Sequence, residues 1–165
     1  EVGVRIKDAL ERAADHFNRA IELRPGQPEL PLLLAEVLSH AGRAEQAAGM
    51  LLRMRDDYRR ERVPAGVSDS TLASVYLNMA RFFIHTRRPA EAQRTIEEDI
   101  LPISGTHPDA TADLAVAHAA QGRPEQAWAL LAAAGEMGFD EEGMAQRRAM
   151  VEAMLRKWGK ESRTP

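Results

Sequence analysis

Three ten-residue stretches decide how this chain folds: GRAEQAAGML at 42–51, RRPAEAQRTI at 87–96 and GRPEQAWALL at 122–131. In each, a turn residue is followed five positions on by a small one, Ala47, Ala92 or Ala127. Four positions further comes a larger apolar residue, Leu51, Ile96 or Leu131. On a helix, residues four apart share a face, so each stretch is a turn followed by an amphipathic helix. Upstream, Ala13, Phe17, Ala20 and Pro25 keep the same beat, and Ala13 stands 34 residues before Ala47. The next two intervals between the equivalent alanines are 45 and 35.

The segment before each turn repeats as well. Leu34-Ala35 with Leu38, Met79-Ala80 with Phe83, and Leu114-Ala115 with His118 occupy equivalent places. The small residue admits a neighbouring helix, and the large ones fill the grooves beside it.

Composition agrees with helices. The chain has 165 residues, 44% hydrophobic but only 5% aromatic, and Ala, Leu, Arg and Glu dominate it over Val, Ile, Thr and Tyr. There is no cysteine, which removes disulfide scaffolds, cysteine-ligated metals and thiol nucleophiles. A net charge of −3 argues against a dedicated nucleic-acid binder. No apolar run is long enough to span a bilayer. The chain begins at Glu1 rather than Met and reads as an excised or processed product, which leaves upstream targeting open. The compartment is left open, with the cytoplasm only slightly favoured, because a cysteine-free chain suits either redox environment.

The pattern resembles the tetratricopeptide repeat family over about residues 5 to 139. That family's second helix carries Ala, Phe, Ala and Pro, present here as Ala13, Phe17, Ala20 and Pro25. Ala35, Ala80 and Ala115 stand where the family has Gly, His118 where it has Tyr, and Asp99 where it has the second Ala. Arg59, Ser104 and Phe139 replace the terminal Pro. The resemblance implies an all-α fold, a right-handed α-solenoid of antiparallel helix pairs. It would hold about three and a half repeats plus a C-terminal capping helix.

The expected organisation is a single domain over 1–159. It comprises a half repeat (4–27), a repeat (28–61), an insert (62–72), two repeats (73–107 and 108–139), a capping helix (140–158) and a flexible tail (160–165). Helices are expected over 4–23, 29–41, 44–62, 70–86, 89–101, 109–121, 124–137 and from about 140 to before Gly159. Ser68 or Asp69 is the expected N-cap of the fourth, and 102–107 the loop after the fifth. The last helix places Met144, Val151, Met154, Leu155 and Trp158 on one face. It lacks the repeat signature and reads as the polar-backed cover of the stack's apolar end. The insert region is rich in Arg53, Arg55, Arg59, Arg60 and Arg62. Interleaved acids (Asp56, Asp57, Glu61) favour a solvated face with internal ion pairs, a basic patch for an acidic partner being the alternative.

Catalytic chemistry finds no footing. The five histidines, His16, His40, His85, His107 and His118, form no HExxH motif and no pair at i, i+4. There is no GxSxG, GxxxxGK[ST] or GxGxxG. The doublets Glu97-Glu98 and Glu141-Glu142 diverge around a helix and cannot clasp one bond. No cofactor and no metal is expected, and the chain is not expected to be an enzyme.

The resemblance implies instead a protein-interaction module, a scaffold or adaptor that holds a partner's peptide or helix in a concave groove. Family positions put Leu32, Glu36, Ser39 and His40 in that groove from one repeat. The next gives Ser74, Leu77, Asn78, Arg81, Ile84 and His85, and the last gives Asp109, Ala112, Val116 and Ala119. The binding expectation centres on Leu32, Glu36, His40, Leu77, Asn78, Arg81, His85, Ala112 and Val116. Chaperone-binding members use Lys and Asn where Leu32 and Glu36 stand, so a carboxylate clamp of that type is incomplete. The apolar positions of the last repeat suit either a partner's apolar anchor or burial by the C-terminal helix. Two alternatives stay open: a self-assembling array whose open half repeat docks on another copy, and a regulatory region of a larger enzyme or transcription regulator.

Overall fold

In a computed structural model of the chain, residues 2–60 and 62–161 are described. They form α1 (Val2–Leu23), α2 (Glu29–His40), α3 (Ala44–Arg59), α4 (Asp69–His85) and α5 (Pro89–Thr95). A π-helical turn (Ile96–Ile100) and α6 (Leu101–Ser104) continue α5. Then come α7 (Pro108–Ala120), α8 (Pro124–Glu136) and α9 (Glu141–Glu161). Among the described residues there is no strand. The chain divides within α4 into two compact units, Glu1–Val75 and Tyr76–Pro165, where sequence reading expected one continuous domain.

In the first unit α1 packs on α2 and α2 on α3. A three-residue turn at 41–43 forces α2 and α3 to run antiparallel. The large-small-large set is the core of this pair, for Leu34, Ala35, Leu38, Ala47, Ala48 and Leu51 are all buried. Glu11 on α1 meets Arg43 at 2.7 Å, a half-exposed pair. α3 ends at Arg59, short of the expected 62. Arg55 is buried and Arg62 pairs with Asp57, so the arginines of this region form no single exposed face.

The second unit begins with the C-terminal part of α4. The helix starts where Ser68 accepts a hydrogen bond from Thr71 N–H, one of the two caps expected. α7 and α8 form an antiparallel pair, and α9 packs along α7. α7 is buried on every side, with Ala110 through Ala119 all shielded.

The expected loop at 102–107 is shorter, because the helix reaches Ser104. Pro102 lacks an N–H and its ring presses on the preceding turn. The backbone widens there instead of breaking, and Leu101 N–H reaches back five residues to the Ile96 carbonyl. α9 also exceeds its expected end and runs through Gly159 to Glu161. Residues 162–165 of the expected tail lie outside the described residues.

Each first helix of a pair stops the same way. At Gly42, Arg87 and Gly122 the backbone turns left-handed (φ 79°, 61° and 73°). The next residue's N–H bonds the carbonyl five positions back: Arg43 to Leu38, Arg88 to Phe83, and Arg123 to His118. This double closure satisfies helix-end carbonyls and sets the sharp reversal into the second helix.

Candidate interaction site

Arg81 sits in the C-terminal part of α4 and points at the acidic side of α7. Its Nε donates to Asp113 Oδ2 at 2.6 Å and its Nη2 to Asp109 Oδ1 at 3.0 Å. Asp109 and Asp113 are one helical turn apart and therefore share the face that meets α4. Asp113 is only 2% exposed, and its other oxygen accepts from Arg147 Nε on α9. One carboxylate thus ties three helices together through two guanidiniums. Burial alone would lower the Arg81 pKa; Asp113 and Asp109 outweigh it and hold the group above its ordinary value.

Over this triad lies an open cavity of about 260 Å³, bounded by Arg81, Ile84 and His85 on α4, Asp113 on α7, and Gln146, Arg147 and Met150 on α9. A second cavity of about 190 Å³ adjoins it at Ile84. It is bounded further by Arg87, Pro89, Ala120, Met154, Lys157 and Trp158. Together they make a trough with α4 and α9 as walls and α7 as floor. Its first part is polar and charged, and its second part is apolar with two cations at the rim.

The residues expected in a groove fall into different situations. Arg81 and His85 line the trough, and Asn78 is exposed on the same helix. Leu77 is buried. Ala112 and Val116 are fully buried and offer no surface, which corrects their placement in an open groove. Val116 lies between Asp113 and Ala120 on the α7 face that meets α9, so the C-terminal helix takes the space a ligand would need. In the first unit Leu32 is buried while Glu36 and His40 are exposed on α2.

Sequence reasoning missed the α9 wall: Gln146, Arg147, Met150 and Met154. A usable signal was present in Asp109 and Asp113 at i, i+4, which call for more cationic charge than Arg81 alone supplies. His118 is buried with its Nδ1 unbonded, and burial first, then Arg123, lowers its pKa. Among the described residues no three His, Asp or Glu side chains converge on a metal site, and no described helix is long and apolar enough to cross a membrane.

No curated protein and no solved structure matches the chain. Residues 7–65 match the family model described as tetratricopeptide repeat. That stretch spans most of α1, all of α2 and α3, and the antiparallel pair whose small alanines are buried. The family's repeats are generally protein-interaction modules, typically non-catalytic. Over residues 7–65 the chain is therefore similar to the tetratricopeptide repeat family, and the helix pairs of the second unit repeat the same size pattern.

Proposed function

We propose that the protein is an interaction module, a scaffold or adaptor, that takes a peptide or helix of a partner protein along the trough between α4 and α9. One observation carries this reading. Two neighbouring cavities that share Ile84 in their lining pair directional groups (Arg81, His85, Gln146) with an apolar socket (Met154, Trp158, Pro89). Binding sites need that combination: the apolar part supplies desolvation energy, and the polar part fixes register. Arg81 and Arg147 are already held by Asp113, so they present fixed N–H edges with little entropy left to lose.

The test is a peptide selected by display against the purified chain, followed by Trp158 fluorescence in a Trp128→Phe background. The selected peptide should change Trp158 emission. Met154→Glu and His85→Glu should each weaken it at least tenfold with unchanged far-UV circular dichroism. Selected peptides whose affinity ignores both substitutions would sink the assignment.

A further inference from the structure

The turns that close α2, α4 and α7 are built alike, yet one of them is strained. Gly42 and Gly122 hold the left-handed position in two of them, and Arg87 holds it in the third, at φ 61°. Glycine adopts that conformation freely, whereas an L side chain brings its Cβ too close to the backbone. Among the described residues the Arg87 guanidinium makes no hydrogen bond and no ion pair. Strain kept for a side chain that does nothing for the fold points to a functional position. The side chain stands at the rim of the apolar socket formed by Ile84, Pro89, Ala120, Met154 and Trp158, and Lys157 on α9 stands at the same rim.

The charge of the trough runs against that of the chain. The net charge is −3, but the two trough cavities bring together Arg81, Arg87, Arg147 and Lys157 against a single carboxylate, Asp113. Asp113 is 2% exposed and accepts hydrogen bonds from both Arg81 and Arg147, so it is engaged within the fold. Asp109 takes the other side of Arg81. Arg87 is left at the socket as a cation whose pairing is open. The excess is particular to this surface. A cavity of about 500 Å³ between α8 and α9 carries Glu141 and Glu152 beside Arg148 in its lining.

We propose that the trough selects acidic partner segments: a large apolar side chain enters the socket, and an Asp or Glu side chain beside it meets Arg87. This rests on the reading of the trough as a peptide site and names the chemistry of the peptide it takes. The apolar anchor supplies desolvation, and the carboxylate accepts from the guanidinium. A contact between charged partners beside apolar walls is stronger than the same contact in open water. A basic segment would meet like charges along the trough and is selected against. Arg87 is thereby the residue that sets specificity, and the strained turn fixes where its side chain leaves the backbone.

The test is a random peptide library displayed against the full chain. Selected peptides are synthesised with free and with amidated C-termini and titrated by Trp158 fluorescence in the Trp128→Phe background. Their sequences should be enriched in Asp or Glu next to a large apolar residue, and the two C-terminal forms should bind alike. Arg87→Gly should weaken an acidic peptide about tenfold. Its urea midpoint should stay level or rise, because glycine relieves the turn. Changing the peptide's acid to its amide should cost the same on the native chain and nothing further on Arg87→Gly. Peptides that need Met154 and His85 but carry no acid, or that bind Arg87→Gly as tightly as the native chain, overturn the inference and leave the trough reading standing. A peptide that loses its affinity on amidation overturns it too, because a chain terminus and not a side chain then meets the cation. Peptides indifferent to Met154→Glu and His85→Glu overturn the trough reading and this inference with it.

Discussion

Gly122→Ala should be the most costly of the turn-glycine substitutions, and the reason can be worked out atom by atom. Gly122 holds φ at 73°, and its N–H bonds the Ala119 carbonyl. Any L side chain there carries about 1–2 kcal/mol of left-handed strain. Gly42 is the matched control: its φ is 79°, it closes α2 in the same way, and a Cβ added there meets nothing within 4 Å. At Gly122 a Cβ would lie 2.6 Å from Trp158 Cζ2 and closer still to Cε2 and Cδ2. The indole must swing off the turn. Trp158 is 45% exposed, so it has somewhere to go, but it loses the burial the glycine gave it. That loss is about 1–2 kcal/mol, below the figure for a fully buried large side chain. The total for Gly122→Ala is about 2–4 kcal/mol, against about 1–2 for Gly42→Ala. Urea unfolding followed by circular dichroism measures both. The Trp158→Ala background should erase the excess at position 122, because the ring is its whole cause. Equal costs at the two glycines, or an excess that survives without the indole, would refute the packing argument.

Four other outcomes follow from the same geometry. Arg87 is the one described non-glycine residue with positive φ, so Arg87→Gly should stabilise the protein by about 0.5–1 kcal/mol in urea melts, the strain relieved less the added freedom of the unfolded chain. Asp113→Ala strips two guanidiniums of a buried counter-ion and should cost about 2–4 kcal/mol by the same measurement, somewhat under a fully buried pair because Arg81 keeps Asp109. Asp109→Ala, at a carboxylate more than a third exposed, should cost under about 1 kcal/mol. His118 has a native pKa below its ordinary 6.5, so below that pH the unfolded chain takes up a proton that the native state resists. Stability should therefore be flat in this respect above 6.5 and fall as pH drops toward the lowered native value, and His118→Gln should remove that part of the slope in pH-dependent melts.

Size spacing was readable from the sequence because the repeat imposes it through sterics: a methyl at Ala35, Ala80 and Ala115 and a larger group four positions after Ala47, Ala92 and Ala127 are what let the helices approach. Turn positions were readable for the same kind of reason, since Gly42 and Gly122 mark left-handed helix ends. The trough was only half readable. Arg81 and His85 could be placed from α4's own register, but their neighbours come from α9, and nothing local links Arg147 to an aspartate 34 positions away. Side-chain burial on α7 was hidden because its moment is nearly lost: Ala, Val and Leu surround it, and a helix apolar all round does not declare which side a later helix will cover. The register of α9 was obscured by chemistry rather than by spacing. Arg148 and Glu152 stand where Leu114 and His118 stand in α7, and a search for hydrophobic identity passes over them. Ala149 alone keeps the size rule. Long charged side chains can fold back along an apolar neighbour and keep their heads in water, so Arg148 and Glu152 can border an apolar groove.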